Sequence, residues 1–129
     1  MRARYRKKDK LKSRKVIEKL FRQGKALTVF PLRLIFLPAD FDDDSKIKAG
    51  FSVSSRVFKK AVDRNRIKRL MRESYRLNKN DHFNNFTTSC ALMILYIGNT
   101  EPTFEQIDKT MIAVLSKLDD ALAPKKLKP

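Results

Sequence analysis

Cys90-Ala91-Leu92-Met93-Ile94-Leu95-Tyr96-Ile97 is an unbroken apolar run in a chain of 129 residues with a formal charge of +16. Such a run predicts a strand buried on both faces. The sheet that contains it therefore needs helices packed against it. Hydrophobic residues make up 42% of the chain, enough for a modest core and too many for a disordered basic tail. The length favours a single domain spanning 1–129.

The remaining elements follow from periodicity. Residues 1–10 form a basic arm without apolar periodicity. Ser13 can cap a helix running to about Gln23, with Val16, Ile17, Leu20 and Phe21 as its apolar stripe and Gly24 as a left-handed stop. Leu27 to Leu37 reads as one strand-like run interrupted by Pro31, which points to an edge position or a bulge. Within it, Arg33 and Ile35 face away from the Leu/Phe set. An exposed acidic loop, Phe41-Asp42-Asp43-Asp44, precedes a second strand from Ile47 to Ser54. Ile47, Ala49, Phe51 and Val53 share one face of that strand, and Lys48, Gly50, Ser52 and Ser54 the other.

A helix is expected from about Ala61 to Leu77, then a polar stretch from Asn78 to Ser89. After the apolar strand, Thr103 and Gln106 form a capping box for a last helix whose stripe is Ile107, Met111, Val114, Leu115, Leu118 and Leu122. The tail over 123–129 is basic and expected to fray. The order α-β-β-α-β-α defines an α+β sandwich of helices on a small sheet.

The helix beginning near Ala61 carries the functional signal. At about 100° per residue, Leu70, Met71 and Ser74 lie close to Ile67 on one side. Arg64, Asn65, Lys68, Arg69, Arg72 and Arg76 fan across the other side, with Arg66 at its far edge. After Asp63, Glu73 is the one carboxylate within the helix up to Arg76, so pairing inside it is scarce. Arginine outnumbers lysine on this face, and its planar fork suits phosphate and stacking on bases. Packed like charges call for an extended anion, and a nucleic-acid backbone fits better than a solvated face.

Other classes fit less well. Anionic membrane would be a competing partner, but no apolar run is long enough to span one. The single cysteine, Cys90, excludes an intrachain disulfide, fits a reducing compartment and reads as a buried structural thiol. The N-terminus lacks the apolar core of a secretory signal, and its helical pattern runs into the domain, so the cytoplasm is the default. His82, the one histidine, lies beside Asp81 in the polar stretch and reads as a surface residue rather than half of an acid–base pair. The run Asp42 to Asp44 reads as a solvated loop rather than a Mg²⁺ site. A helix-turn-helix is disfavoured because a strand, not a short helix, precedes the basic helix.

Ala61-Val62-Asp63-Arg64-Asn65-Arg66-Ile67-Lys68-Arg69 resembles the signature of the bacterial ribonuclease P protein subunit. Leu11 to Gly24 resembles that family's first helix, and Ala49 to Ser54 its strand before the signature. The resemblance implies a ribosomal-protein-type α/β sandwich with a left-handed βαβ crossover. It further implies a protein that assembles with a large catalytic RNA, which binds the Mg²⁺ ions and supplies the active site. The holoenzyme cuts precursor tRNA, leaving a 5′-phosphate on the mature tRNA. Arg64, Asn65, Arg66, Lys68, Arg69 and Arg72 would then face the catalytic RNA.

The segment before the signature, Ser55-Arg56-Val57-Phe58-Lys59-Lys60, departs from the family pattern and shifts basic contacts to Arg56, Lys59 and Lys60. By the same resemblance, a cleft lined by Ile17, Phe21, Arg33, Ile35, Ser52 and Ser54 would take the single-stranded 5′ leader. Many members have aromatics where this chain has Ile17 and Ile35, so stacking there rests on Phe21. Phe21 also fits the buried stripe of its own helix. The alternative to a ribonuclease P subunit is a ribosomal-type protein that packs RNA without a reaction; composition does not separate the two.

Overall fold

The computed structural model describes residues 10–39, 41, 46–82 and 89–122. Most of the basic arm (1–9), the Asp42 to Asp44 run and the tail (123–129) lie outside the described residues. The elements are α1 (Arg14–Gln23), β1 (Lys25–Val29), β2 (Leu32–Pro38), β3 (Ile47–Val53), α2 (Ala61–His82), β4 (Cys90–Tyr96) and α3 (Phe104–Leu122). The class is the α+β sandwich expected, with one strand more. The run from Leu27 to Leu37 is a hairpin, not a single strand. Pro31, which has no N–H to give a ladder, sits in its turn rather than at a bulge.

The sheet order is β1-β2-β4-β3, with β4 antiparallel to β2 and parallel to β3. The β3–α2–β4 unit is thus a parallel crossover. Ala91 and Leu92 of β4 are both fully buried although they point to opposite faces. Leu92, Ile94 and Tyr96 enter the larger core with Leu32, Leu34, Phe36, Ala49 and Val53, beneath Ile67 and Met71 of α2 and the stripe of α3. Ala91 and Met93 enter a smaller core with Leu20 of α1 and Leu11. Leu11 reaches it because its N–H donates to the Ala49 carbonyl (3.0 Å), beside an isolated bridge between Lys10 and Ala49.

Helix ends follow local chemistry. Ser13 caps α1 by accepting from the Val16 N–H (3.3 Å). Gly24 does not adopt the left-handed stop: its φ is −68° and ψ 155°. Its lack of a side chain matters for another reason. A Cβ would lie 2.3 Å from the Leu20 carbonyl oxygen and 2.6 Å from Ile35 Cγ2, so the chain leaves α1 for β1 with no room for one. At α3 the capping box is reciprocal: Thr103 N–H donates to Gln106 Oε1 (3.0 Å) and Gln106 N–H to Thr103 Oγ1 (3.2 Å).

α2 continues past Leu77 through what the sequence presents as a polar stretch, and His82 falls in its last turn. The cause is a tertiary clasp. Asp108 Oδ1 of α3 accepts from Ser74 Oγ (2.7 Å) and from Asn78 Nδ2 (2.8 Å), which also donates to the Ser74 carbonyl (2.8 Å). Ser74 is fully buried, so its hydroxyl needs that partner. Asp108→Ala is expected to lower stability by roughly 1–3 kcal/mol, chiefly by leaving the buried Ser74 hydroxyl without its acceptor. An unshifted urea midpoint would show that the clasp contributes nothing.

Cys90 is fully buried, and burial pushes its thiol from the ordinary 9.0 up to about 11. Between those values the unfolded thiol has lost its proton and the folded one keeps it. Stability from this group is therefore present below pH 9.0 and falls as pH rises toward about 11. The urea midpoint of the wild type should decline more steeply over that window than that of Cys90→Ala. Parallel curves would show that the thiol ionises as readily in the fold as outside it.

Candidate nucleic-acid interface

Two surfaces emerge, one on each side of the sheet. The first is the outer face of α2 with the loop before it. Ile67, Met71, Ser74 and Tyr75 are buried and Leu70 packs partly against the core, which fixes the helix's rotation. Tyr75, unforeseen in the sequence reading, meets Phe51 edge-on at 5.6 Å. With that stripe inside, Asn65, Arg66, Arg69 and Arg72 are exposed and Lys68 is half-buried. Arg66, Arg69 and Arg72 form no ion pair among the described residues.

Lower on the helix, Arg76 bonds Glu73 through two nitrogens, and that hydrogen bond holds the Glu73 carboxyl below its usual range. The free positive charge is thus concentrated in the signature half of α2. Asp63, in the first turn, complements the helix dipole.

The loop joining β3 to α2 is anchored at both ends. Arg56 N–H donates to Ser54 Oγ (3.2 Å) and Phe58 N–H to the Ser54 carbonyl (3.0 Å). The Phe58 ring is buried against Tyr96, with centroids 5.9 Å apart. This leaves Arg56, Lys59 and Lys60 exposed beside the signature. Arg64 differs from its neighbours. Its Nη1 donates to the carbonyls of Phe58 (2.7 Å) and Lys59 (2.8 Å), so its guanidinium shapes the loop from within.

The second surface lies on the α1 side of the sheet. Strand register sets Thr28, Arg33, Leu95 and Ser52 in one row across it. The adjoining row, Ile35, Met93 and Gly50, runs under the smaller core, which Ile17 and Ile35 both join. α1 is only about 15 Å long at about 1.5 Å per residue and leaves the Arg33 row partly open. Arg33 and Ser54 are exposed, Ser52 is half-buried, and Phe21 is 51% exposed and belongs to neither core. The buried-stripe reading of Phe21 therefore fails, and its ring stands free.

Leu95, half-buried, and Ile97, 41% exposed, extend this surface. The unbroken apolar run predicts both to be buried, and the structure leaves both partly open. Their alternation with Ala91 and Met93 was the available signal, but only the short reach of α1 shows where cover stops.

A buried stripe beneath an exposed arginine face, with an exposed arginine and an exposed aromatic ring on the other side of the sheet, fits a small RNA-binding protein of the α+β class. The Ribonuclease P family model matches residues 5–119. A ribonuclease P protein component of Porphyromonas gingivalis is 32% identical over 108 residues, covering 81% of this chain and 79% of that protein. One from Clostridioides difficile is 30% identical over 109 residues, covering 84% and 90%. The fold is shared with the RNase P protein of Staphylococcus aureus (TM-score 0.68, 19% identity, 88% of this chain and 97% of that one). It is shared equally with that of Thermotoga maritima (TM-score 0.66, 20% identity, 84% and 96%). The chain belongs to the Ribonuclease P family.

Arg64 and Arg69 should separate in experiment. Arg69→Ala should flatten the salt dependence of RNA binding by about 0.7–0.9 in log–log slope while leaving the urea midpoint unchanged. Arg64→Ala should lower that midpoint, at a cost of about 1 kcal/mol of unfolding free energy, through the lost carbonyl bonds. Equal stability of the two variants would remove the loop-shaping role of Arg64.

Proposed function

We propose that the arginine wall of α2 and the loop before it seat this protein on the catalytic RNA of ribonuclease P, while the α1-side cleft takes the single-stranded 5′ leader of precursor tRNA. Family membership gives the chain its role in tRNA 5′ processing, as one component of an endoribonuclease that includes an RNA partner. It also sets the ribosomal-type alternative aside. One observation carries the RNA-facing assignment: Arg66 and Arg69 are exposed and unpaired among the described residues, while Ile67 between them is fully buried. The helix cannot turn these cations elsewhere without losing its core contact.

Arginines and lysines on this wall would bind phosphates and set position, since an A-form helix is read mainly by shape and backbone. Asn65, exposed among them, offers both a donor and an acceptor for a base edge or a ribose hydroxyl. In the cleft, Phe21 offers a stacking face and Arg33 a cation beside Ser52 and Ser54, the combination expected for single-stranded RNA. Ile17 and Ile35 form the apolar floor between α1 and the sheet.

The described residues contain no group of three or more His, Cys, Asp or Glu able to hold a metal ion. We assign Mg²⁺ to the RNA subunit on the family resemblance, where it would activate water and stabilise the departing oxygen. The protein's own residues bind and orient, and hydrolysis leaves the 5′-phosphate on the tRNA. No helix among the described residues is long and apolar enough to cross a membrane.

Precursor tRNA processing at low Mg²⁺, with a bacterial ribonuclease P RNA and with or without this protein, tests the proposal. Cleavage should require the RNA and be stimulated by the protein, and the protein alone should cut nothing. Phe21→Ala should raise KM for leader-bearing substrate by about fivefold or more, as the loss of one base stack predicts, with RNA assembly unchanged. Absence of stimulation, or equal loss of assembly, would refute the corresponding half.

A further inference from the structure

β1, β3 and β4 end where β2 begins, so one end of the sheet gathers the Phe30-Pro31 turn, the loop before α2 and the segment leading into α3. Between the turn, that last segment and the start of α3 lies an open groove of about 310 Å³. Phe30, Pro31, Tyr96, Asn99, Thr100 and Lys109 are among its walls. Neither the arginine wall nor the α1 cleft includes it.

The groove is built rather than incidental. Ile97 N–H donates to the Pro31 carbonyl (2.8 Å), tying the end of β4 to the turn. The Tyr96 hydroxyl donates to the Thr100 carbonyl (2.6 Å). A Cβ on Gly98 would come 2.5 Å from the Tyr96 hydroxyl oxygen, so the loop closes on that ring only because residue 98 is glycine. On this fixed frame Phe30 is 70% exposed and contributes to neither core. Lys109 is exposed and forms no ion pair among the described residues.

An open aromatic face, a free ammonium and the amide of Asn99 together match an unpaired nucleotide: a ring for the base, a cation for the phosphate, an amide for a base edge. The volume lies at the small end of the range for ligand pockets, which suits one nucleotide and not a duplex. The chain's charge of +16 favours a polyanion over a peptide or neutral ligand.

Position selects which RNA. Tyr96 and Thr110 in the groove belong to the α2/α3 side of the sheet, opposite the α1 cleft. Phe58, held by Arg64 through its carbonyl, packs on Tyr96, so the groove continues the basic loop and the signature. An RNA lying on α2 reaches it without crossing the sheet; a leader in the α1 cleft does not.

We propose that this groove holds an unpaired nucleotide of the catalytic RNA, its base on Phe30 and its phosphate on Lys109. The inference rests on the assignment of the α2 wall to that RNA. Its test is binding of the full chain to ribonuclease P RNA alone, across a salt series, with Phe30→Ala, Phe30→Tyr, Lys109→Gln and Arg69→Ala. Phe30→Ala should bind about tenfold more weakly with an unchanged salt slope, and Phe30→Tyr should restore affinity by keeping the stack. Lys109→Gln should flatten the slope by about 0.7–0.9.

Unchanged binding by Phe30→Ala, with a flattened salt slope in Arg69→Ala, would overturn the groove and leave the α2 assignment standing. Failure of the wild type to prefer this RNA over a scrambled one would overturn both. A defect of Phe30→Ala confined to leader-bearing precursor tRNA would overturn the catalytic RNA as occupant.

Discussion

The rest of the structure depends on β4 being buried on both faces. Successive residues alternate across a strand, so Ala91 and Met93 must find one apolar layer while Leu92 and Ile94 find another. That condition makes β4 a central strand, paired with β2 on one edge and β3 on the other. It also requires α1 on one side of the sheet and α2 with α3 on the other. The separation of the α1-side surface from the arginine wall is a consequence of that layering. Because β3 and β4 run parallel, the loop before α2 and the loop before α3 open at the same end.

α2 has conflicting demands. Its signature half packs unpaired guanidinium groups along one side, which raises the free energy of the helix. Two features hold it in place. The buried stripe from Ile67 to Tyr75 supplies apolar contact, roughly 1.5–3 kcal/mol for each large side chain fully removed from water. The Asp108 carboxylate then ties Ser74 and Asn78 to α3. Both lie away from the exposed arginines, so the face is held rigid without neutralising it. Arg64 follows the same logic at the helix start, where part of its hydrogen-bonding capacity goes to the loop that presents Lys59 and Lys60.

Much of this was legible in the sequence because the signals are local. The capping box of Thr103 and Gln106, the Ser13 cap, the alternation of Ile47, Ala49, Phe51 and Val53, and the stripe of α3 each depend on neighbours a few residues apart. What the sequence hid is nonlocal. The Leu27 to Leu37 run carries strand character on both sides of Pro31, and the proline alone does not say whether the chain bulges or folds back there. Asn78 has low helix propensity, and its partner Asp108 is far along the chain. Gly24 looked like a left-handed stop, but its need for glycine comes from Ile35 and the Leu20 carbonyl. Of the candidate site, the arginine face followed from helical geometry; the free standing of Phe21 required knowing where α1 ends relative to the sheet.

The charge itself argues that the isolated protein is not the working state. With +16 on 129 residues and a wall of arginines unpaired among the described residues, the folded chain concentrates repulsion that an unfolded chain spreads out. An RNA backbone laid along that wall screens it and releases condensed counterions as it does so. Because such a ligand recognises the folded arrangement, its binding free energy also adds to folding stability. The same layering leaves the α1-side surface on the far side of the sheet, where the proposed single-stranded segment would not compete for the wall.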